Sequence, residues 1–273
     1  MPEIQRDGTS IAYEVSGDGP GVILGSSFLM NREMWRPQID RLADRYRVIA
    51  VDWRGHGASG PATGTVTLDD LADDFVAVLE AEGVDRAVWG GLSLGGMVAM
   101  RQAIRAPESV RGLILIDTDA GTWTLRERLK FKAMGLGAKV AGIRRMTPLV
   151  LRTLLADRTR REEPDLVAFW RDALQQLSVT SILCILDTLA RRPSQAAALA
   201  SVEAPTAVIH GLDDTAIPVA RGAAIQAAIR GASLKVLRDC GHIATLDQPQ
   251  LVGDEMERFL GSVFEDREAG GPG

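Results

Sequence analysis

The stretch Trp89-Gly-Gly-Leu-Ser-Leu-Gly-Gly-Met97 decides how this chain folds. The residues before it, RAVWGG, have the composition of a buried strand, and those after it, MVAMRQAIRA, the spacing of a helix. Gly91-Leu92-Ser93-Leu94-Gly95 therefore sits on a strand-to-helix turn. Small flanks there let strand and helix approach closely while the serine is lifted clear. In a chain with 28 glycines the Gly-x-Ser-x-Gly spacing alone is a weak signal. The context is more demanding, because the helix N-terminus behind the serine favours negative charge. The plain alternative is a small residue in a Gly-rich link.

Outward from this turn the pattern alternates. IAYEV, GVILGS and YRVIAVDW read as strands, and the last ends at the turn RGHGASG. TLDDLADDFVAVLEAEG reads as a helix, with Thr67 as N-cap, Asp69 and Asp70 in the first turn and Gly83 as its stop. RGLILID is again a strand. From Gly121 to Ser201 strand signals vanish, and LRERLKFKAMGLGAKV, PLVLRTLLADR, PDLVAFWRDALQQL and SVTSILCILDTLA all read as helices. After Pro205 alternation returns: TAVIHG, the helix AIPVARGAAIQAAI, SLKVLRD and the helix QLVGDEMERFLGSVF. The expected fold is α/β, a mostly parallel sheet with helices on both faces. Residues 1–120 and 202–264 would form the core, 121–201 an inserted helical cap over the carboxyl edge of the sheet, and the polar, Gly-rich 265–273 a frayed tail.

A serine hydroxyl is a poor nucleophile at neutral pH unless a base takes its proton, a third group holds that base and donors receive the oxyanion. The chain has three histidines. His56, in RGHGAS, reads as a turn histidine and His210, ending TAVIH, as a structural one. His242, in CGHIATLDQP, follows a strand in the loop position where a parallel sheet presents catalytic groups, and is the candidate base. Asp213 and Asp214, in HGLDDTAIP at the same sheet edge, both qualify as the acid. Asp117, ending LILID, is an alternate, and a helix cap or Asx-turn is the structural role for any of them.

Bulk properties set the outer limits. The net charge of −5 argues against a nucleic-acid partner, which would call for a basic face. No apolar run approaches bilayer-spanning length, so no membrane partner is expected. Cys184 and Cys240 cannot build a disulfide framework, and the first ten residues lack an apolar signal core; both fit the cytoplasm. Three scattered histidines and two lone cysteines form no metal set, so no metal or organic cofactor is expected. Oligomeric state is not readable.

With these residues in hand, the chain resembles the α/β-hydrolase superfamily over about residues 4–262, through WRPQIDRLADRYRVIAVDWRGHGAS, GGLSLGGMVAM, HGLDDTAIP and CGHIATLDQP, and the resemblance implies an eight-stranded sheet. The resemblance implies Ser93 as nucleophile, His242 as base and, through Gly211 and Pro218 of the pattern Gly-x-x-Asp-x-x-x-Pro, Asp214 as acid. It implies an oxyanion hole from the backbone N–H groups of Phe28 and Leu94, although Ser26 and Ser27 stand where many relatives have His-Gly. Within the superfamily, SSFLMNREMWRPQI and DWRGHGAS are most similar to 3-oxoadipate enol-lactone hydrolases, with aryl esterases and cofactor-independent haloperoxidases nearly as close. The cap matches the enol-lactonase pattern poorly. A serine at the turn separates the chain from haloalkane dehalogenases and epoxide hydrolases, which use aspartate there.

The expected reaction is hydrolysis of a small ester or lactone through an acyl-enzyme on Ser93. Carbon–carbon bond hydrolysis, or perhydrolysis and halogenation, on the same triad are the alternatives, and a small-molecule receptor on a hydrolase fold is the non-enzymatic one. Trp123, Phe131, Met134, Phe169 and Trp170 are the candidate pocket residues, cap packing being the other role for each. Arg144 and Arg145 could meet a substrate carboxylate or lie on a solvated face. Trp35 and Trp53 are expected near the sheet.

Overall fold

Eight strands form one sheet in the order β1-β2-β4-β3-β5-β6-β7-β8 in the computed structural model, which describes residues 1–265. The strands are β1 (Glu3–Arg6), β2 (Thr9–Ser16), β3 (Gly21–Gly25), β4 (Arg47–Val51), β5 (Ala87–Leu92), β6 (Val110–Ile116), β7 (Thr206–Gly211) and β8 (Ser233–Leu237). β1 and β2 pair antiparallel and β2 joins β4 antiparallel, whereas every pairing from β4 through β3, β5, β6 and β7 to β8 is parallel. Strands β3, β5 and β7 are buried throughout, as continuous Val/Ile/Leu runs require when helices cover both faces.

The helices are α1 (Arg36–Leu42), α2 (Leu68–Ala81), α3 (Leu94–Arg105), α4 (Leu125–Ala141), α5 (Ile143–Leu154), α6 (Asp157–Glu162), α7 (Pro164–Gln175), α8 (Val179–Arg191), α9 (Val219–Ala228), α10 (Ala244–Asp247) and α11 (Pro249–Glu265). Thr67 caps α2 in a reciprocal capping box with Asp70, and Thr124 caps α4 in the same way with Glu127. Helices α4–α8 all fall between β6 and β7, within the stretch from which strand signals vanish. Two buried clusters flank the sheet, one holding Trp53, Phe75 and Trp89, the other Trp35, Ile39 and Phe259. No single helix among the described residues is long and apolar enough to cross a membrane.

Several boundaries differ from the sequence reading. β1 and α1 were not anticipated, since EIQR offers one apolar residue and RPQIDRL opens with Pro37 at its second position. The helix expected from Pro148 starts at Ile143 and carries the proline inside it, with the Thr147 hydroxyl donating to the Ile143 carbonyl (2.9 Å). The helix expected from Ala216 starts only at Val219, because the N–H groups of Ala216 and Ile217 are drawn to Asp214. Glu265, assigned to the tail, is the last residue of α11; the rest of that tail lies outside the described residues.

Candidate active site

Ser93 joins β5 to α3 with φ +56° and ψ −109°, a backbone state that side chains other than glycine rarely adopt and that costs about 1–3 kcal/mol. Neighbouring bonds hold it there. Its N–H donates to the Ile116 carbonyl (2.8 Å), and its carbonyl accepts the Thr118 hydroxyl (2.6 Å) and the Met97 N–H (3.1 Å). A Cβ on Gly95 would collide with the Gly25 carbonyl of β3, and one on Gly91 with the Gly95 backbone. These two glycines let the helix seat against the sheet while Ser93 is turned outward.

Loops at the carboxyl ends of β7 and β8 bring Asp214 and His242 together. His242 Nδ1 lies 2.7 Å from Asp214 Oδ2, with both residues buried. The other carboxylate oxygen, Oδ1, accepts the N–H groups of Ala216 (2.7 Å) and Ile217 (2.9 Å). This carboxylate is therefore fixed in rotation, and with it the edge the imidazole presents; its charge suits a proton on Nδ1, leaving Nε2 as the free base. Asp213, the other acid of the pair, is exposed.

Beneath the pair, Asp117 accepts the Gly211 N–H (2.7 Å) and the Ala244 N–H (3.2 Å), and so ties the acid loop to the histidine loop. Burial, reinforced by the nearby Asp214 charge, pushes the Asp117 carboxyl well above the usual carboxylate range. His210 Nε2 lies 2.8 Å from the Ile217 carbonyl, and burial lowers its pKa. Asp117, His210 and Asp214 each bring one potential ligand atom within 4.8 Å of the others. The carboxylate oxygens are committed to backbone N–H groups and His242, and His210 Nε2 to Ile217, with His210 Nδ1 buried and unpaired, so these bonds make the cluster a hydrogen-bonded brace between the loops.

The histidine loop is also fastened to the helical insertion. The Leu154 carbonyl, ending α5, accepts the N–H groups of both His242 (3.1 Å) and Ile243 (3.0 Å). Asp247, buried, accepts the Gly241 N–H (2.8 Å), the Ala156 N–H (3.0 Å) and the Thr159 hydroxyl.

On the opposite side, the loop after β3 carries Ser26–Leu29. Its Leu29 adopts φ +71°, and the Leu29 N–H donates to His56 Nε2 (3.2 Å). His56 Nδ1 faces the Arg54 carbonyl at 3.4 Å, so the neutral Nδ1–H tautomer satisfies both contacts. Burial holds the His56 pKa down at about 4, and its ring meets Phe28 edge-on at 5.8 Å. Leu94 is the first residue of α3, so its N–H belongs to the unpaired helix N-terminus beside Ser93.

Ser93, His242 and Phe28 line one cavity beneath the helical insertion. Of the expected pocket residues, Trp123, Phe131 and Met134 line it, Trp123 stacking on Phe131 at 4.3 Å. Phe169 and Trp170 do not: α7 packs Trp170 into the core against α5, and Phe169 points half-exposed to the outside. Neither Arg144 nor Arg145 lines the cavity, although their neighbours Ile143 and Met146 do. The cavity's charged end is formed by residues the sequence did not single out. Arg192 is buried, 3.2 Å from Asp119 and 5.4 Å from the Trp123 ring centre, while Arg221 bridges Asp119 (3.4 Å) and Glu127 (3.6 Å).

A family model described as "Alpha/beta hydrolase family" matches residues 19–255. The chain belongs to this family. It is 30% identical over 253 residues to 3-oxoadipate enol-lactonase 2 of Acinetobacter baylyi, covering 89% of each chain. It is 30% identical over 249 residues to 2-hydroxymuconate semialdehyde hydrolase of a Pseudomonas strain, covering 88% of this chain and 84% of that one. The structure of a thermophilic esterase from Thermogutta terrifontis superposes with a TM-score of 0.90 at 27% identity, covering 96% of this chain and 99% of the other. As an α/β hydrolase, the chain carries its Ser93, Asp214 and His242 loops at one sheet edge, where this architecture places ligands.

Proposed function

We propose that this α/β hydrolase is a serine hydrolase of small carboxylic esters or lactones, acting through an acyl-enzyme on Ser93. One observation carries the reading: the Asp214–His242 pair at 2.7 Å and the strained Ser93 turn open into the same apolar cavity. His242 Nε2 takes the Ser93 proton as Oγ attacks the carbonyl, and Asp214 stabilises the imidazolium that forms. The backbone N–H groups of Phe28 and Leu94 receive the oxyanion, each donor contributing about 3 kcal/mol to the barrier reduction. His242 then protonates the leaving alkoxide, and water, activated by the same imidazole, releases the acid. None of these steps calls on a metal or organic cofactor.

The cavity lining supports an apolar acyl or aryl group lying along Phe131, Met134 and Ala138, with a polar end facing Arg192 and Arg221. In this reading residues 1–120 and 202–264 supply the chemistry, and the insertion 121–201 supplies the specificity. The enol-lactonase and esterase relatives support ester or lactone cleavage. A second reading, carbon–carbon bond hydrolysis, is supported by the relative named 2-hydroxymuconate semialdehyde hydrolase, also 30% identical.

A fluorophosphonate probe tests the nucleophile: it should label the parent and not Ser93→Ala, and an unlabelled parent overturns the assignment. Turnover of p-nitrophenyl acetate beside a lactone panel and a vinylogous 1,5-diketone then separates the substrate classes. Turnover of the diketone alone would replace the ester reading with the second one.

A further inference from the structure

Helix α4 has two apolar faces. Phe131, Met134 and Ala138 turn inward and line the cavity. Leu125, Leu129, Leu136 and Val140 turn outward and are 75%, 60%, 61% and 78% exposed. At 100° per residue these four fall within about 60° of arc, opposite the inner set. They are four of the ten large apolar side chains exposed among the described residues.

Cations border this stripe. Arg128, Lys132 and Lys139 lie along one flank and share a surface groove with Leu136 and Leu186. Among the described residues none of the three has a carboxylate within ion-pair distance. The acid in that groove, Asp187, is already paired with Arg191 at 2.8 Å. The imbalance extends beyond the helix: residues 121–201 contain 14 Lys and Arg against 7 Asp and Glu, a net of +7 in a chain whose total is −5. The remainder is therefore −12.

We propose that the outer face of α4 docks on a lipid surface bearing anionic headgroups. An exposed apolar stripe with a cationic flank is the pattern of a helix lying in a membrane interface, its apolar side chains in the acyl boundary and its cations among the headgroups. The absence of a spanning segment, which led the sequence reading to expect no membrane partner, does not bear on this mode, because an interfacial helix need not cross the bilayer. The acidic remainder orients the molecule with the insertion toward the surface. An antiparallel second copy seated on the same face would bring its Arg128–Lys132–Lys139 flank alongside this one, so charge repulsion disfavours that symmetric dimer. Docking would hold the cavity one helix diameter, about 10 Å, from the lipid. The proposal is independent of the reaction assigned to Ser93.

Co-sedimentation of the full chain with phosphatidylcholine vesicles, with and without phosphatidylglycerol, tests it. The expected result is pelleting only with the anionic vesicles and release by high salt. Lys132→Glu/Lys139→Glu and, separately, Leu129→Gln/Leu136→Gln should each lower partitioning more than about tenfold. Turnover of p-nitrophenyl acetate should be unchanged in both, which reports their folding. No pelleting with anionic vesicles, or equal pelleting of parent and both variants, overturns the proposal. So does a concentration-dependent oligomer of the parent that the leucine variants dissolve, which would give the stripe to self-association. Vesicle binding without esterase activity would sink the Ser93 reading and leave this one standing.

Discussion

The Leu154 carbonyl accepts the His242 N–H at 3.1 Å, so the last turn of α5 and the proposed general base share a backbone bond. Asp247 closes the same junction from the other side through Gly241, Ala156 and Thr159. Replacing Asp247 with Ala leaves a buried N–H, a part-buried N–H and a buried hydroxyl without their acceptor, a loss of about 3 kcal/mol. Asp247→Ala should therefore unfold at lower urea and lose turnover. Thr159→Val removes one of these contacts and leaves both N–H bonds in place, so it should lose about 1 kcal/mol with activity near parental. Parental stability in Asp247→Ala, measured by urea denaturation, would show that the junction contributes nothing.

Ser93 sits at φ +56° without the freedom of a glycine, so its backbone stores strain that activity alone would justify. Ser93→Gly relieves that strain and Ser93→Ala does not. Both should be inactive, with Ser93→Gly the more stable of the two in urea by about 1 kcal/mol, an excess reduced by the greater freedom of glycine in the unfolded chain. Ser93→Ala matching or exceeding Ser93→Gly would show that the turn is relaxed.

The parts of the site carried by local patterns were legible in the sequence. Ser93 was marked by its strand, glycines and helix, and His242 by its place after an apolar strand; the same position left Asp213, Asp214 and Asp117 open as the acid, and only the family pattern with Gly211 and Pro218 singled out Asp214. What lay outside local pattern was not. Arg192 and Arg221 come from α8's end and from α9, and meet only because Asp119 lies between them. Phe169 and Trp170 carry the right chemistry for a pocket, but periodicity does not say which neighbour a helix faces, and α7 faces α5. Helix α4 hid its outer stripe for a related reason: with apolar residues on opposite faces it shows no single amphipathic direction. Asp247 carries no local signal, because its partners Ala156 and Thr159 lie about 90 residues away.

His56 holds the proposed oxyanion loop through Leu29 and must be neutral at Nε2 to accept that N–H. Its folded pKa of about 4 lies below the ordinary value near 6.5. The unfolded chain therefore binds a proton that the folded chain refuses between those pH values, so stability contributed above pH 6.5 is lost as pH falls toward 4. That loss totals about 3 kcal/mol. His56→Phe should be less stable than the parent at pH 7 and less active, since Phe28 loses its anchored neighbour. The stability gap should narrow as pH falls from 7 toward 4, because the variant lacks this titration. Urea denaturation at several pH values reads the gap directly, and a gap independent of pH would contradict a buried neutral imidazole.

Ala138 lies on the inner face of α4, buried and lining the cavity along the expected acyl path. Ala138→Leu fills that path without touching Ser93, Asp214 or His242. Short acyl groups end before reaching it, whereas longer ones must give up the burial of roughly three methylenes, each worth about 0.8 kcal/mol. Turnover of p-nitrophenyl acetate should stay within about threefold of the parent, while kcat/KM for the octanoate should fall by more than about tenfold. The loss should appear mainly in KM, since the excluded methylenes bind the ground and transition states alike. Equal losses on both esters would mean that the acyl chain does not run beneath α4, and the polar end at Arg192 would then become the place to seek the acyl group.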